Sequence, residues 1–137
     1  MAEDTDTIRR INPPELDTPR GYSQIVDVRA GRLVFIAGQT ALDEAGHLVG
    51  RDDVAAQAAQ VFHNLDIALR AVGLTPANLV KLTVFLRDMS DLSAYREARN
   101  RFLASTTPPA APAITLVEVS RLYGSDFLIE IEAVAAA

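Results

Sequence analysis

The strongest periodic pattern of hydrophobic positions lies over residues 53–72 and predicts a helix. Its apolar side chains recur every three or four residues, at Val54, Ala58, Val61, Leu65, Leu69 and Val72. A second helix is predicted from about Asp91 to about Ala104, with a buried stripe of Leu92, Tyr95, Ala98 and Phe102. Capping residues agree with both helices: Asp52 or Asp53 and Asp91 suit the starts, and Gly73 suits the end of the first.

Alternating and short apolar runs predict the strands. Over residues 79–87, one face holds Val80, Leu82, Val84 and Leu86, and the other holds Lys81, Thr83, Phe85 and Arg87. Runs at 24–28 and 33–37 predict two strands joined by a hairpin turn at Ala30 and Gly31. Runs at 114–119 and 127–134 predict two more strands, which are expected to be partners.

The order of elements is two or three strands, a helix, a strand, a helix and two strands. Two strand–helix–strand crossovers in so short a chain place both helices on one face of a mixed sheet, in an α/β (α+β) architecture. The 137 residues are expected to form a single domain over 1–137, with flexible ends at 1–6 and 135–137. Because the other face of the sheet carries no helix and is partly apolar, self-association is expected.

Composition removes several classes of function. The chain has no cysteine, which excludes disulfides, thiolate metal sites and a cysteine nucleophile, and its two histidines argue against a histidine-rich metal site. The formal net charge of −5 argues against nucleic acid as a partner. No apolar run approaches the ~18 residues of a membrane span, and the acidic start does not resemble a signal peptide, so a cytoplasmic protein is expected.

Two glutamates near the end of the chain are the first candidates for chemistry. Alternation places Glu130 and Glu132 on the same side of their strand, with Glu118 in the expected partner strand. They form either a solvated strand face or a carboxylate at the mouth of a cleft, able to hold or activate a water molecule. The remaining charged candidates are expected to be exposed: His47, His63, and a solvated helix face of Arg96, Glu97, Arg99 and Arg101.

Six short segments also occur in a recognisable order. They are Gly-Tyr-Ser-Gln at 21–24, Ala-Gly-Gln-Thr at 37–40, Asp-Val-Ala-Ala-Gln at 53–57 with Asn64, Ala-Val-Gly-Leu at 71–74, the strand run at 80–88, and Val-Glu-Val-Ser-Arg-Leu at 117–122 followed by Ile-Glu-Ile-Glu-Ala at 129–133. No single segment is specific, but together they resemble the RidA family, also called YjgF and, from an early report, L-PSP endoribonuclease. The resemblance covers roughly residues 20–134.

The resemblance implies a chorismate-mutase-like mixed sheet with two helices on one face, assembled as a homotrimer with three clefts between subunits. Well-known members of the family hydrolyse reactive enamines and imines, such as 2-aminoacrylate, to 2-keto acids and ammonia without metal or cofactor. A glutamate positions the attacking water, an arginine binds the substrate carboxylate, and a tyrosine and a glycine shape the pocket. Matched by motif, the glutamate is Glu130, the tyrosine is Tyr22 and the glycine is Gly38.

The arginine has no counterpart in this chain. Ile114 stands at its position, Leu116 where the family often has cysteine, and Arg96 where it commonly has asparagine. These three residues are assigned to the substrate-binding cleft by the resemblance. A charge-assisted hydrogen bond contributes about 1.5–3 kcal/mol, so losing the arginine costs on the order of 10–100-fold in affinity. Ordinary 2-aminoacrylate deaminase activity is therefore not expected.

Two functions remain open from the sequence. One is a cofactor-free, deaminase-like hydrolase or related acid–base enzyme with catalytic Glu130, whose substrate is larger or less anionic. Arg96 is a candidate for supplying the missing positive charge from another direction. The alternative is a non-catalytic trimer that binds a small metabolite or a protein partner. Ribonuclease activity, implied only by the old family name, is disfavoured because the chain lacks a basic stripe and a cluster of base-stacking aromatic residues.

Overall fold

The computed structural model describes residues 7–29 and 31–137, which form six strands and two α-helices. The predicted flexible end at 1–6 lies outside the described residues. In chain order the elements are β1 (Ile8–Ile11), β2 (Ile25–Val28), β3 (Leu33–Gln39), α1 (Val54–Ala71), β4 (Leu79–Leu86), α2 (Leu92–Leu103), β5 (Ala113–Glu118) and β6 (Ile129–Ala136). Neither helix in this described part is long and apolar enough to cross a membrane.

The main sheet has four strands in the order β3-β6-β4-β5. β4 and β5 are parallel and are connected through α2, whereas β6 runs antiparallel to β3 and to β4. α1 packs on β3 and β6, and α2 packs against α1, so both helices cover the same face. The predicted mixed sheet with two helices on one face is confirmed.

The predicted hairpin between the runs at 24–28 and 33–37 is wrong. β2 pairs with β1 in a separate two-stranded sheet, where Arg9 forms an ion pair with Asp27 across the two strands. β3 pairs instead with β6, which lets Ile36 reach the helix-covered core. The alternation of Val34 and Ile36 with exposed neighbours specifies a half-buried strand but does not specify its partner.

Two expectations for the end of the chain are also wrong. Glu118 does not lie in a strand next to β6, because β4 separates β5 from β6. Residues 135–137 are not a loose end: β6 continues to Ala136, and Ala137 exchanges backbone hydrogen bonds with Arg32. The small side chains of Ala135 and Ala136 are fully buried, which a run of alanines does not reveal.

The helices follow the sequence closely. The Asp53 side chain accepts a hydrogen bond from Ala56 N–H at the start of α1, and Gly73 adopts a φ of +76° after its end, as the caps predict. Asp91 precedes α2 without making a side-chain cap. Asp88 instead caps a short 3₁₀ turn over 89–91 that leads into the helix.

Gln57 is a fully buried polar side chain on α1 that fixes the approach to β6. Its amide donates hydrogen bonds to the carbonyl oxygens of Gly50 (3.1 Å) and Asp126 (2.9 Å). Its side-chain oxygen accepts one from Leu128 N–H at 2.9 Å. One side chain therefore joins two loops to the helix and sets where β6 begins.

We expect Gln57→Leu to lower the free energy of unfolding by about 1–3 kcal/mol, because Leu128 N–H and two carbonyl groups lose their partner inside the fold. Gln60→Leu on the same helix is the matched control. Gln60 donates to Leu42 O and to Asn64 Oδ1, but Asn64 also donates to Leu42 O and remains after the change. The control should lose less, about 0.5–1 kcal/mol, because only the partly buried bond to Asn64 Oδ1 is lost without replacement. Denaturant unfolding measures both, and equal losses would contradict this role of Gln57.

Candidate functional site

The Glu130 side chain lies against the backbone at Gly38. Glu130 is the second residue of β6 and pairs in register with Phe85 of β4, on the sheet face that carries no helix. The register of β3 against β6 shifts between Ile36 and Gln39, and Gly38 lies within this irregularity. A Cβ atom at Gly38 would lie 2.9 Å from Cδ of Glu130. The absence of a side chain at Gly38 therefore makes room for the carboxyl group.

Burial raises the pKa of the Glu130 carboxyl above its ordinary value, and the negative charge of Glu132 raises it further. Glu132 is exposed two residues along the same strand. Both effects disfavour the ionised form, so Glu130 holds a proton more tightly than a solvated glutamate. Such a carboxyl group can accept a proton from water and return it.

A groove with a volume of about 680 Å³ runs from Gly38 along α1. Thr40 and Tyr123 line it, and their hydroxyl groups form a hydrogen bond of 2.6 Å. Asn64 on α1 also lines it and donates to the carbonyl oxygen of Thr40 at 3.1 Å. Sequence reasoning did not assign Tyr123 to the site. Its only signal was its place in the turn before β6.

Tyr22 and Arg96 lie in a second cavity of about 810 Å³, which we call the arginine cavity. It is formed by a stretch of the chain before β2 and by α2, and its lining residues are Asp17, Thr18, Arg20, Gly21, Tyr22, Arg96, Arg99 and Asn100. The structure therefore brings two of the predicted binding residues together. It does so away from Gly38, which lines the other groove.

Arg99 departs from the expected solvated helix face, because only 7% of it is exposed. Its Nε and Nη2 donate to Asn100 Oδ1 at 3.1 and 2.9 Å, and its guanidinium carbon lies 5.8 Å from the centre of the Tyr95 ring. The interpretation as a solvated face holds for its neighbours Arg101 and Glu97. Both side chains are exposed, and Nη2 of Arg101 lies 3.5 Å from Oε1 of Glu97. Helical spacing places Arg99 on the same side as Tyr95 and Leu103, the other buried residues of α2.

Ile114 and Leu116 face the helices rather than the open side of the sheet. They pair in register with Leu82 and Val84 of β4, which are fully buried, and both pack against the core. Glu130 pairs with Phe85, on the opposite face. In a single chain, Ile114 and Leu116 are therefore separated from Glu130 by the sheet.

The predicted site residues thus fall into three places in one chain: Gly38 with Glu130, Tyr22 with Arg96, and Ile114 with Leu116. His47 and His63 are exposed, as expected, and His63 lines the groove beside Gly38. Within residues 7–29 and 31–137, no three histidine or acidic side chains gather where they could hold a metal ion.

Comparison with known proteins gives a consistent result. The sequence model described as Endoribonuclease L-PSP matches residues 13–137. Protein DfrA of Myxococcus xanthus is 40% identical over 115 residues, covering 83% of each chain. The 2-iminobutanoate/2-iminopropanoate deaminase of Salmonella typhimurium is 36% identical, covering 94% of this chain and 95% of that one. The crystal structure of YyfB, a Rid-family protein of Yersinia pestis, superposes with a TM-score of 0.86 at 34% identity, over 96% of this chain and all of that one.

Glu132→Gln should lower the pKa of Glu130 toward its ordinary value, because it removes the like charge on the same strand face. Glu118→Gln is the control, since Glu118 lies on β5, two strands away from β6. Carbon NMR titration of the Glu130 carboxyl measures the effect. An unchanged pKa in Glu132→Gln, or an equal fall in both variants, would contradict the coupling.

Proposed function

Since this chain belongs to the Endoribonuclease L-PSP family, also called RidA or YjgF, we propose that it hydrolyses an enamine or imine without a cofactor. The observation that carries the proposal is the Glu130 carboxyl group, which lies against Gly38 with a raised pKa. The name of the Salmonella relative supports the same class of reaction, because a deaminase of 2-imino acids converts C=N to C=O.

In the proposed reaction, Glu130 in its ionised form orients a water molecule and takes one of its protons as the oxygen bonds to the imine carbon. The C=N electron pair moves to nitrogen, which gives a carbinolamine. Glu130 returns that proton to nitrogen. It then takes the proton of the new hydroxyl group and delivers it to the amino nitrogen as the C=O bond forms and the C–N bond breaks, so that a ketone and ammonia leave. The raised pKa suits a group that must both accept and donate a proton, and such acid–base catalysis contributes roughly 10²–10⁴-fold.

We further propose that the substrate differs from the smallest 2-imino acids. Ile114 stands at the position of the family's carboxylate-binding arginine and is packed against the core. Its apolar side chain, on the opposite face of the sheet from Glu130, cannot pair with a substrate carboxylate. A larger or less anionic substrate fits these residues better, with Tyr22, Gly38, Leu116 and Arg96 as further candidates for the cleft.

The cleft is proposed to form between subunits of a homotrimer. Gly38 with Glu130 and Tyr22 with Arg96 are separated within one chain, so uniting these two groups requires residues from a neighbour. The open sheet face supports association because it exposes large apolar side chains, including Phe35 (76% exposed), Leu33 and Val117. Paired with them in register are Val134 and Phe85, which extend the apolar area.

The second candidate function is a non-catalytic trimer that binds a small metabolite or a protein partner. It is favoured by Ile114, because the loss of the family's arginine removes an interaction that would hold a substrate carboxylate. Glu130 and Tyr22 are retained, which favours the hydrolase. The two functions differ in a direct way: only the hydrolase requires the carboxylate of Glu130.

Glu130→Gln should lower kcat/KM for imine hydrolysis by roughly 10²–10⁴-fold, because the amide cannot take a proton from water. The substrates are a panel of 2-imino acids with side chains of increasing size, generated in place by an amino-acid oxidase, with ammonia release as readout. Glu118→Gln is the control and should leave the rate unchanged.

The wild-type rate should also fall as the pH is lowered through the raised pKa of Glu130, since the protonated carboxyl cannot act as base. Equal rates for wild type and Glu130→Gln would exclude Glu130 as the base. Ammonia release no faster than the rate without the protein, for every member of the panel, would favour the non-catalytic alternative.

Phe35→Lys should break the association of subunits, because it places a charge in the exposed apolar row of the sheet. Light scattering should give three times the chain mass for the wild type and a smaller mass for the variant. Leu16→Lys, at an exposed apolar residue outside the sheet, should leave the mass unchanged. A monomeric wild type would contradict the intersubunit cleft.

A further inference from the structure

The arginine cavity has a strong positive charge in a chain whose net charge is −5. Three arginines line it, Arg20, Arg96 and Arg99, against a single carboxylate, Asp17. Among the described residues, no carboxylate lies within ion-pair distance of any of these three guanidinium groups. Like charges gathered in one cavity repel each other, so an anion that enters it is attracted by all three.

Arg99 is held in a way that leaves one edge of its guanidinium available. The Nε/Nη2 edge is occupied by Asn100 Oδ1, and Nη2 also donates weakly to the carbonyl oxygen of Arg20 at 3.4 Å. Tyr95 also interacts with this guanidinium through its hydroxyl group and its ring, and no carboxylate among the described residues pairs with Nη1. A buried guanidinium without an anion is unfavourable, and an N–H group of Nη1 can donate to a carboxylate oxygen.

The backbone at Gly21 passes close to this guanidinium. Gly21 has a φ of +80°, and a Cβ atom there would lie 2.5 Å from Nη2 of Arg99 and 3.2 Å from Asn100 Oδ1. The left-handed φ favours glycine here, and its lack of a side chain lets the chain before β2 pass close to Arg99. The neighbouring Arg20 and Tyr22 are carried to the cavity by the same stretch.

We propose that the arginine cavity binds the carboxylate of a small organic acid, with Arg99 as its buried anchor and Arg96 and Arg20 as exposed partners. This inference rests on the proposed function in one respect: it takes the arginine cavity, which contains Tyr22 and Arg96, to be part of the proposed substrate cleft. It also narrows the substrate class: the substrate keeps a carboxylate, which is bound on α2 rather than on β5. If the carboxylate is bound in this cavity, the substrate must be long enough for its imine carbon to reach Glu130.

The test measures binding without turnover, by calorimetric titration of the full chain with pyruvate as the probe acid. Arg96→Gln and Arg20→Gln should each weaken pyruvate binding about 10-fold, since each removes one charge-assisted partner. Both side chains are exposed, so the variants should fold. Arg101→Gln, on the same helix but outside the cavity, is the matched control and should bind like wild type.

Arg99→Lys tests the anchor itself, because lysine keeps the charge and lacks the planar fork. Provided its circular dichroism matches wild type, it should also lose about 10-fold or more in affinity. Absence of pyruvate binding by wild type, or wild-type affinity in both Arg96→Gln and Arg20→Gln, would overturn the proposal. Inorganic phosphate that binds more tightly than pyruvate would overturn the assignment to a carboxylate.

Glu130→Gln separates this inference from the proposed hydrolysis. If the inference holds, that variant keeps pyruvate binding, whether or not any imine is hydrolysed. If turnover depends on Glu130 but Arg96→Gln and Arg20→Gln keep wild-type KM and pyruvate affinity, the hydrolase stands and the anion site is wrong. Loss of binding in the arginine variants with no turnover in wild type supports the anion site alone.

Discussion

The packing of the Glu130 side chain against the backbone at Gly38 is the contact on which the rest of the site depends. It requires β3 and β6 to be neighbours, a shifted register between Ile36 and Gln39, and a residue without a side chain at the shift. Gln57 supports it from a distance, since its buried amide fixes the loop that leads into β6. The partly buried position and the nearby Glu132 then raise the pKa of the carboxyl group.

The distribution of positive charge determines where this chain could bind a substrate carboxylate. On β5, Ile114 contributes to the hydrophobic core and carries no charge, whereas α2 presents Arg96 and the buried Arg99 to a cavity shared with Tyr22. A family member with this arrangement has lost one means of holding a carboxylate and has positive charge available elsewhere. The proposed difference in substrate follows from this change of location rather than from a loss of charge.

Sequence patterns gave the helices almost to the residue, because apolar spacing and capping are local properties. They also gave the mixed sheet, because crossovers limit the possible topologies. Strand partners were not predictable, because the alternating pattern at 33–37 is compatible with pairing to either β2 or β6. The burial of Arg99 was missed because an arginine among Arg96 and Arg101 suggests a solvated face. The family motifs identified Gly38 with Glu130, but the groove residue Tyr123 carries no motif.

We propose that one cleft joins the arginine cavity to Glu130 across a subunit boundary. A crystal structure of the protein with a bound 2-keto acid, long enough to span the cleft, tests it most directly. We expect the acid's carboxylate to contact Arg99 and Arg96, with its keto carbon facing Glu130 of one of the subunits. A carboxylate bound elsewhere, with the arginine cavity holding no part of the acid, would contradict the claim.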